Sequence, residues 1–394
     1  MSARTQPDAV RELKFRDPER GARLTHALER TVASIGRSPV SVMHVCGSHE
    51  QAIARFGLRA SFPRDLDVIM GPGCPVCITD QPEVDEAVAL ARQGVRIATY
   101  GDMLRVPGTS RSLADAQAEG GRIEVVYSVA QAAALARQSP EPLVFFATGF
   151  ETTAVATAAV VLGDPPPNLF VLSAHKYIPP VMEIVAEMPE TRIEGFLAAG
   201  HAATITGSAV FDRFVERHGI PVVIAGFEPL DILAALLRLV ELIRDRDASV
   251  VNMFPRCVTR EGNLRAQEHL WSVFKPIGGR WRGIAHVPNG NLRLRDEWAH
   301  LDARRQFAID LSRVWDDAPS TLAQRCICGD IMAGLKSPTH CALFGRECQP
   351  DNPVGACMVS SEGTCRIWHQ YGQKPDWAAA VGLSVAGPDV CPRI

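Results

Sequence analysis

The sequence has no long apolar run, no surplus of positive charge and no phosphate-binding loop. Its longest stretch without Asp, Glu, Lys or Arg is 17 residues, 195–211, and it contains His201 and several threonines, so it is a poor membrane span. Lys and Arg number 41 against 44 Asp and Glu, a net charge of −3, which offers no basic surface to nucleic acid. Neither GxxxxGK[ST] nor GxGxxG occurs, so nucleotide binding has no support.

The first 20 residues are polar and lack the apolar core of a secretory signal. We therefore expect a cytoplasmic protein with neither a membrane nor a nucleic-acid partner. The chain has 394 residues, of which 46% are hydrophobic, and this is enough for two or three domains with buried cores.

The cysteines are unevenly distributed. There are 11 in all; none lies between residues 78 and 256, and six lie between 326 and 365. Because disulfides are disfavoured in a reducing cytoplasm, such a cluster indicates metal or redox chemistry. The isolated Cys257 and Cys391 are instead expected to be buried thiols that pack as small hydrophobic residues.

Short apolar runs alternate with helical patterns from residue 40 to about 245, which is typical of parallel α/β sheets. The predicted strands are 40–45, 66–70, 95–99, 122–127, 143–147, 169–173, 193–198 and 221–225. The alternation fades after residue 250, where we expect a charged helix over 293–313 and then an irregular segment.

Four strands followed by four more predict an α/β fold of two Rossmann-like parallel-sheet domains, residues 1–139 and 140–250. The third domain, 251–394, is expected to be irregular or helical and to carry an iron–sulfur cluster. Gly-Phe-Glu follows a predicted strand twice, at 149–151 and 226–228. Ligands of open α/β sheets bind at the carboxyl ends of strands, so these ends are the places to look for chemistry.

The motif CGSHE, residues 46–50, directly follows the first strand. A cysteine that opens a helix faces backbone N–H groups, and this environment is expected to lower the pKa of the Cys46 thiol and favour the thiolate. His49 is three residues further on, and Glu50 is a candidate to orient it. Alternatively, Cys46 is a plain buried thiol beside an exposed His-Glu pair.

The motif GPGCPVC, residues 71–77, follows the second strand. Cys74 and Cys77 form a CxxC pair, which can cycle between dithiol and disulfide or contribute to a metal site. A zinc knuckle needs two more ligands and no second CxxC exists, so redox chemistry or a shared metal is favoured over structural zinc.

The motif GFETT, residues 149–153, and two histidines complete the set of strand ends. On its own, Glu151 is explained by helix capping. His175 and His201 each follow a strand, and we expect both to converge on the edge that carries Cys46 and Cys74.

The cysteine run reads C-x12-C-x6-C-x16-C through Cys328, Cys341, Cys348 and Cys365. Four thiolates on irregular chain suit a [4Fe–4S] cluster, and zinc is the second choice. Cys326 and Cys357 are left over. Spacing alone leaves open which four of the six bind.

These motifs, with the stretch CGDIMAGLKSPTHCALFGRECQPDNPVGACMVSSEGTC, closely resemble the HypD family of [NiFe]-hydrogenase maturation factors over about residues 38–370. The resemblance implies assembly of the Fe(CN)2CO unit together with HypC, with cyanide received from HypE. It also implies two Rossmann-like domains and a third that bears the cluster.

Carried over by motif position, Cys46 resembles the family's iron-binding cysteine, which acts with a cysteine from HypC. Cys74 and Cys77 resemble the redox-active pair, in an arrangement similar to ferredoxin–thioredoxin reductase. The family's cluster ligands match four cysteines, which are Cys328, Cys341, Cys348 and Cys365. His49 and Glu151 lie in motifs that line the same cleft.

The chain departs from the family pattern at a few positions. Ser48 replaces Thr and keeps the hydroxyl, Ala154 and Val155 follow GFETT, and Ala203 stands where the family has Ser. The last change removes a hydroxyl and any role it has.

Low-spin iron that carries cyanide and carbon monoxide suits soft thiolate ligands. We therefore hypothesise that electrons pass from the cluster to Cys74 and Cys77 and then to iron on Cys46. The chain is then an assembly factor with redox chemistry rather than a conventional enzyme. The alternatives are an iron–sulfur thiol–disulfide reductase and a passive scaffold.

Overall fold

The computed structural model describes residues 15–315 and 321–372. Cys391 and the start of the N-terminal stretch lie outside these ranges. No helix within them is both long and apolar enough to cross a bilayer.

Eleven strands lie within the described residues, and most of them fall in the first two thirds of the chain. They are β1 (Val40–His44), β2 (Leu66–Met70), β3 (Arg96–Thr99), β4 (Ile123–Val125), β5 (Leu143–Gly149), β6 (Leu169–His175), β7 (Gly195–Ala199), β8 (Val222–Ala225), β9 (Val250–Asn252), β10 (Phe274–Trp281) and β11 (Ala285–Leu294).

The α-helices alternate with these strands and then continue alone. They are α1 (Pro18–Ser34), α2 (Gly47–Arg55), α3 (Pro75–Ile78), α4 (Gln81–Arg92), α5 (Leu113–Ala118), α6 (Val129–Arg137), α7 (Glu151–Leu162), α8 (Pro179–Glu187), α9 (Gly200–Thr206), α10 (Asp212–His218), α11 (Pro229–Asp245), α12 (Leu264–Val273), α13 (Ala303–Gln306), α14 (Ser312–Trp315), α15 (Thr321–Gln324), α16 (Cys328–Met332), α17 (Ala356–Val359) and α18 (Thr364–Tyr371). Short 3-10 helices lie at Leu58–Ser61, Gly101–Arg105, Ala209–Phe211, Asp296–Leu301 and Pro338–His340.

Two parallel sheets organise the chain. The five-stranded sheet has the order β2-β1-β7-β8-β9, and the four-stranded sheet has the order β4-β3-β5-β6. Every pairing in both sheets is parallel, with Val42 opposite Val68 in the first and Phe145 opposite Val171 in the second. The predicted α/β class is confirmed, and both sheets are consistent with Rossmann-like units.

The predicted grouping of four consecutive strands into each sheet is wrong. β1 pairs with β7, so the chain begins the five-stranded sheet, builds the four-stranded sheet with β3–β6, and then returns. A boundary at 139/140 therefore falls between β4 and β5, which belong to the same four-stranded sheet. Strands buried on both faces are apolar throughout, so the sequence locates them without revealing their neighbours.

Each sheet is covered on both faces, which is why its strands are continuously apolar. In β7, Phe196 faces a core shared with α8 and α10, whereas Leu197 faces a core shared with α1 and α11. In β5, Phe145 faces α6 and α7, and Phe146 faces α4. Successive side chains therefore point to opposite faces, as in any strand.

The region after residue 250 differs from the prediction. β10 and β11 form an antiparallel hairpin that was not predicted. The helix expected over 293–313 is absent: this range holds the end of β11 and three short helical turns, at 296–301, 303–306 and 312–315. Phe274 and Leu292 of this hairpin share a core with Phe145, so the hairpin packs on the four-stranded sheet. The irregular, short-helical character predicted for the C-terminal part holds from residue 321 to the end of the described chain.

The cysteine-rich segment, defined as residues 326–365, packs on the helices that follow β1 and β2. Its helix α17 contacts α3, and α18, which begins at its end, contacts α2. This packing brings the segment to the carboxyl edge of the five-stranded sheet.

Candidate functional site

Cys46 lies between β1 and α2, at the carboxyl edge of the five-stranded sheet. It is the N-cap residue of α2, with extended backbone, and is 2% exposed. The loop that contains Gly73 packs directly on it: a Cβ at Gly73 would lie 2.1 Å from the Cys46 backbone nitrogen, so only glycine fits. The Gly47 N–H also donates to the Gly73 carbonyl at 3.1 Å. CGSHE and GPGCPVC therefore meet, as the strand-end rule predicts.

The Cys46 thiol is protonated at neutral pH in the metal-free chain. Burial raises its pKa to about 12, although backbone N–H groups of His49 and Ser48 act in the opposite direction. The expectation of a lowered thiol pKa is therefore wrong, because loss of hydration outweighs the helix N-terminus. Ionisation of this thiol needs a positive charge, such as a metal ion, at the sulfur.

Phe227 contacts both histidines of this edge. The His49 Nε2–H donates to the Gly226 carbonyl at 3.1 Å, and the His49 ring stacks on Phe227 with centroids 4.8 Å apart. The His201 ring centroid lies 5.2 Å from that of Phe227, and His201 Nδ1 lies 3.9 Å from Cys46 Sγ. His201 thus reaches Cys46 as predicted, and Phe227 is a site residue that the sequence reasoning missed.

Burial keeps both imidazoles neutral. It lowers the pKa of His49 to about 3, with further lowering from His44 and His201, and it also lowers the pKa of His201. Neutral rings retain a free lone pair, which a proton or a metal can occupy. His49 Nδ1 is buried and has no hydrogen-bond partner among the described residues.

Glu50 does not orient His49. Its carboxylate accepts from His44 Nε2 at 2.9 Å, from Trp368 Nε1 at 2.8 Å and from the Arg59 guanidinium. Burial alone would raise the pKa of Glu50, but Arg59 and His44 hold it well below its ordinary value. Adjacent helical residues point in different directions, so Glu50 joins α2 to α18 instead of supporting its neighbour.

Cys74 and Cys77 form a disulfide at the N-terminus of α3. Their Cα atoms are 5.3 Å apart, and both residues are buried. Cys74 Sγ accepts from the Cys77 N–H at 3.2 Å, while Cys77 Sγ lies 4.0 Å from the Ala356 carbonyl oxygen. The pair therefore lies between the Gly73–Cys46 contact and the cysteine-rich segment.

The six cysteines of that segment surround one small cavity. Its other walls are Ile331, Phe344, Met358 and Gly355. A Cβ on Gly355 would lie 2.6 Å from Cys326 Sγ, so a side chain at this position would displace that sulfur atom. Because all six thiols line the cavity, the choice of Cys328, Cys341, Cys348 and Cys365 as ligands stays a prediction.

The two sulfur sites and Cys46 belong to one continuous core. The core includes apolar residues of β1, β7 and α8 together with eight cysteines, which are Cys46, Cys74, Cys77, Cys328, Cys341, Cys348, Cys357 and Cys365. Sulfur atoms from distant parts of the chain are thus packed into one buried region.

Glu151, from GFETT, reaches the same region from the four-stranded sheet. Its Oε1 accepts from the Ile178 N–H at 2.8 Å, whereas Oε2 is buried without a partner among the described residues. Burial raises the pKa of Glu151 to about 7, although the Ile178 hydrogen bond lowers it. The preceding Phe150 belongs to the core that contains Cys46. Glu151 can therefore take up or release a proton near neutral pH.

Two other cysteine and histidine predictions are wrong. His175 does not join the edge that carries Cys46: its Nε2 pairs with Thr157 at 3.0 Å and its ring packs on Phe274, inside the four-stranded sheet unit. Cys257 is exposed rather than buried. His175 lies at the end of β6, which belongs to the other sheet, and Cys257 lies in the loop after β9.

Glu362 is a further residue that sequence reasoning missed. It accepts from the Ser48 hydroxyl at 3.0 Å, and a Cβ on Gly47 would lie 2.6 Å from the Glu362 Cβ. Burial raises the pKa of Glu362, and its charge opposes ionisation of the Cys46 thiol. The two residues are 314 positions apart, so no local pattern could have joined them.

In residues 15–315 and 321–372, no three His, Cys, Asp or Glu side chains are arranged to hold a single metal ion. Among these residues, the Cys46 thiol and the nearby His201 imidazole do not by themselves complete the ligand set of a single metal ion.

The fold and the site define a two-sheet α/β protein with a buried cysteine centre at the carboxyl edge of one sheet. The sequence identifies the family: the chain belongs to the HypD family of hydrogenase maturation factors. The model of that family, described as "Hydrogenase formation hypA family", matches residues 20–372. The family predicted from the motifs is thereby confirmed.

Several hydrogenase maturation factors are similar over most of the chain. HypD of Azotobacter vinelandii is 42% identical over 355 residues, which cover 86% of this chain and 91% of that protein. HypD2 of Bradyrhizobium diazoefficiens is 40% identical over 376 residues, covering 92% and 97%. HypD of Cupriavidus necator is 39% identical over 376 residues, also covering 92% and 97%.

Proposed function

We propose that this chain assembles the Fe(CN)2CO unit of [NiFe]-hydrogenases and holds its iron, as cargo, on Cys46. The observation that carries the proposal is the common core that joins Cys46, the Cys74–Cys77 disulfide and the cysteine-rich segment. Iron that carries cyanide and carbon monoxide suits a soft thiolate. A thiol within a buried core also keeps such an iron away from water and oxygen.

A [4Fe–4S] cluster, which the family resemblance implies, fits the donor set of the cysteine-rich segment. Six thiols line one otherwise apolar cavity, and a cluster needs four thiolates that each bind a different iron. We assign Cys328, Cys341, Cys348 and Cys365 as its ligands. When bound, such a cluster supplies one-electron transfer.

Cys46 must lose its proton to bind iron, because the thiolate is the metal ligand. His201 Nδ1 is 3.9 Å from the sulfur and is neutral, so it is the base that receives this proton. The His49 ring stacks on Phe227, which also contacts His201, so the three rings limit one another's movement.

The Cys74–Cys77 pair stores two electrons next to the iron-binding cysteine. Reduction of the disulfide takes up two electrons and two protons and produces two thiols, and reoxidation returns both. Glu151, with a pKa of about 7 and one unpaired oxygen, is suited to exchange protons in this core.

The proposal also includes two protein partners. The resemblance implies that HypC donates a second cysteine to the iron and that HypE supplies cyanide. The single thiol at Cys46 supports this, because the described residues do not complete a site for one metal ion.

The disulfide itself favours one second candidate, an iron–sulfur thiol–disulfide reductase. Cys77 contacts the cysteine-rich segment at Ala356, which is the arrangement that such an enzyme needs. This candidate leaves Cys46, His49 and His201 without a role.

The test is Cys46→Ala in complex with HypC, purified without oxygen. We expect complete loss of the infrared bands of bound cyanide and carbon monoxide, because the iron loses its thiolate. Cys257→Ala is the matched control: it removes an exposed cysteine and should leave the bands unchanged. Bands at full intensity in Cys46→Ala would contradict the assignment. Rapid reduction of protein disulfides by Cys46→Ala, without HypC, would favour the reductase.

A further inference from the structure

Arg282 is a buried cation without a carboxylate partner. It lies in the turn between β10 and β11 and is 7% exposed. In the part of the chain that the structure describes, no Asp or Glu oxygen pairs with it, and its Nη2 has no hydrogen-bond partner. Burying a charge in this way is costly unless negative charge lies nearby.

One side of Arg282 is fixed to the helix that carries the disulfide. Its backbone N–H donates to the Ile78 carbonyl at 3.0 Å, and its Nε donates to the Thr79 carbonyl at 2.7 Å. Ile78 directly follows Cys77. These two hydrogen bonds hold the guanidinium at the C-terminal end of α3.

The other side of Arg282 faces the cysteine-rich segment. The next residue, Gly283, has φ +69°, and a Cβ there would lie 2.5 Å from the Gly329 Cα. Arg282, Cys326 and Cys328 line a second cavity, distinct from the small one that all six cysteines surround. The backbone of the hairpin turn therefore packs against the start of α16, next to Cys328.

The nearby carboxylates are engaged with other groups. Glu83 binds the buried Lys176 at 2.7 Å, and Asp85 accepts from the Thr109 N–H at 2.8 Å. Asp80, the third of these carboxylates, lies 3.9 Å from the Arg280 guanidinium. Cys328 contributes a larger favourable interaction with the Arg282 charge than any of the three carboxylates does.

We propose that Arg282 is a positioning residue of the cysteine-rich site, whose charge stabilises the extra electron of the reduced cluster and so raises its reduction potential. The proposal rests on the cluster assigned above. Net charge and hydrogen bonds near the sulfur atoms are the factors by which a protein sets the potential of an iron–sulfur centre. The same side chain fixes the separation between that centre and the disulfide helix.

The experiment is a potentiometric titration of the anaerobically purified full-length protein, followed by electron paramagnetic resonance. In Arg282→Gln and Arg282→Met we expect the ratio of reduced to oxidised cluster at a fixed solution potential to fall about tenfold, or 59 mV for one electron. Arg282→Lys keeps the charge and should stay near the wild-type value. Arg280→Gln is the matched control, because it removes a charge two residues away whose side chain is 78% exposed.

The experiment distinguishes failure of the cluster assignment from failure of the role proposed for Arg282. Wild-type protein without iron and sulfide would overturn the assigned cluster itself. A normal cluster with a wild-type potential in both neutral variants would overturn only the role of Arg282. A merely structural role predicts that Arg282→Lys, which loses the fork of donors, behaves like Arg282→Gln. The apolar Arg282→Met guards against misfolding, because replacing a buried charge by an apolar group is often neutral or stabilising.

Discussion

The tripeptide Gly-Phe-Glu occurs at the end of β5 and again after β8, yet the two copies have opposite environments. Glu151 is fully buried, and burial raises its pKa to about 7. Glu228 has a side chain that is 34% exposed, and its hydrogen bond to Arg16 lowers its pKa. Identical local sequence at equivalent places in two sheets therefore gives one carboxyl group that faces the core and one that faces solvent.

The residue that follows each copy accounts for part of this difference. Thr152 allows the helix to begin at Glu151, whereas Pro229 occupies the first helical position after Glu228. Proline is favoured at that position because its fixed φ suits a helix and its missing N–H is not needed. Glu228 is thereby moved to the N-cap, where its side chain reaches Arg16 rather than the core.

The phenylalanines differ in a related way. Phe150 is 4% exposed, and its ring centroid lies 6.1 Å from that of Trp281. Phe227 is half-buried and contacts both His49 and His201. Both border the core that contains Cys46, but the first supports the fold and the second supports the imidazoles. Sequence repetition thus marks equivalent positions without marking equivalent roles.

The largest effect that tests this comparison is on stability. Phe150→Ala should lower the free energy of unfolding by about 3–5 kcal/mol, because it leaves a cavity in the core. Phe227→Ala should cost less than half of that. It should also speed alkylation of Cys46, because His201, which contacts the thiol, loses the ring that packs on it. Urea denaturation measures the first effect, and mass spectrometry of the iodoacetamide-treated Cys46 peptide measures the second. Equal losses of stability would show that the two rings are equivalent after all.

The next effect is a pH dependence that comes from Glu151. Its pKa in the folded chain, about 7, exceeds the ordinary 4.5, so the folded state binds this proton more tightly than the unfolded state does. The contribution of Glu151 to stability is therefore most favourable below pH 4.5, falls as the pH rises from there to 7, and is lower by about 3 kcal/mol above that. Glu151→Gln should remove this fall.

The measurement is the urea midpoint of wild type and Glu151→Gln at pH 5, 6, 7 and 8. The two curves should lie closest at pH 5 and separate as the pH rises, with the variant the more stable at pH 8. Curves that stay parallel over this range would mean that Glu151 ionises like an exposed carboxyl group.

Much of this architecture was predictable from the sequence, because it depends on local order. The strands β1 to β8 follow from apolar runs, whereas the three-residue β9 was not predicted. The meeting of Cys46 with the Gly73 loop follows from the rule that ligands gather at strand ends. These features could be predicted because each depends only on a strand and on the glycine or cysteine that directly follows it.

What could not be predicted depends on contacts between distant residues. No sequence pattern near Ser48 predicts its hydrogen bond with Glu362, and none near Phe227 predicts that its ring contacts both His49 and His201. The pairing of β1 with β7 is hidden for the same reason, since apolar strands suit many neighbours. The pKa of Cys46 was misjudged because a helix N-terminus is visible in a sequence, whereas complete burial is not.

The smallest expected effect is that of Glu228, whose contribution to stability changes with pH in the opposite direction to that of Glu151. Its hydrogen bonds to Arg16, at 2.6 and 3.0 Å, lower its pKa, so its contribution to stability is present above the ordinary carboxyl pKa and is lost as the pH falls. Glu228→Gln should cost less than about 1 kcal/mol at pH 7, because the pair is exposed, and about 1 M salt should reduce that cost further. The urea midpoint at pH 7, with and without salt, tests this. The slope with pH is opposite in sign to that of Glu151, so a Glu228→Gln variant that grew more stable than wild type as the pH rose would mean that both carboxyl groups face the core.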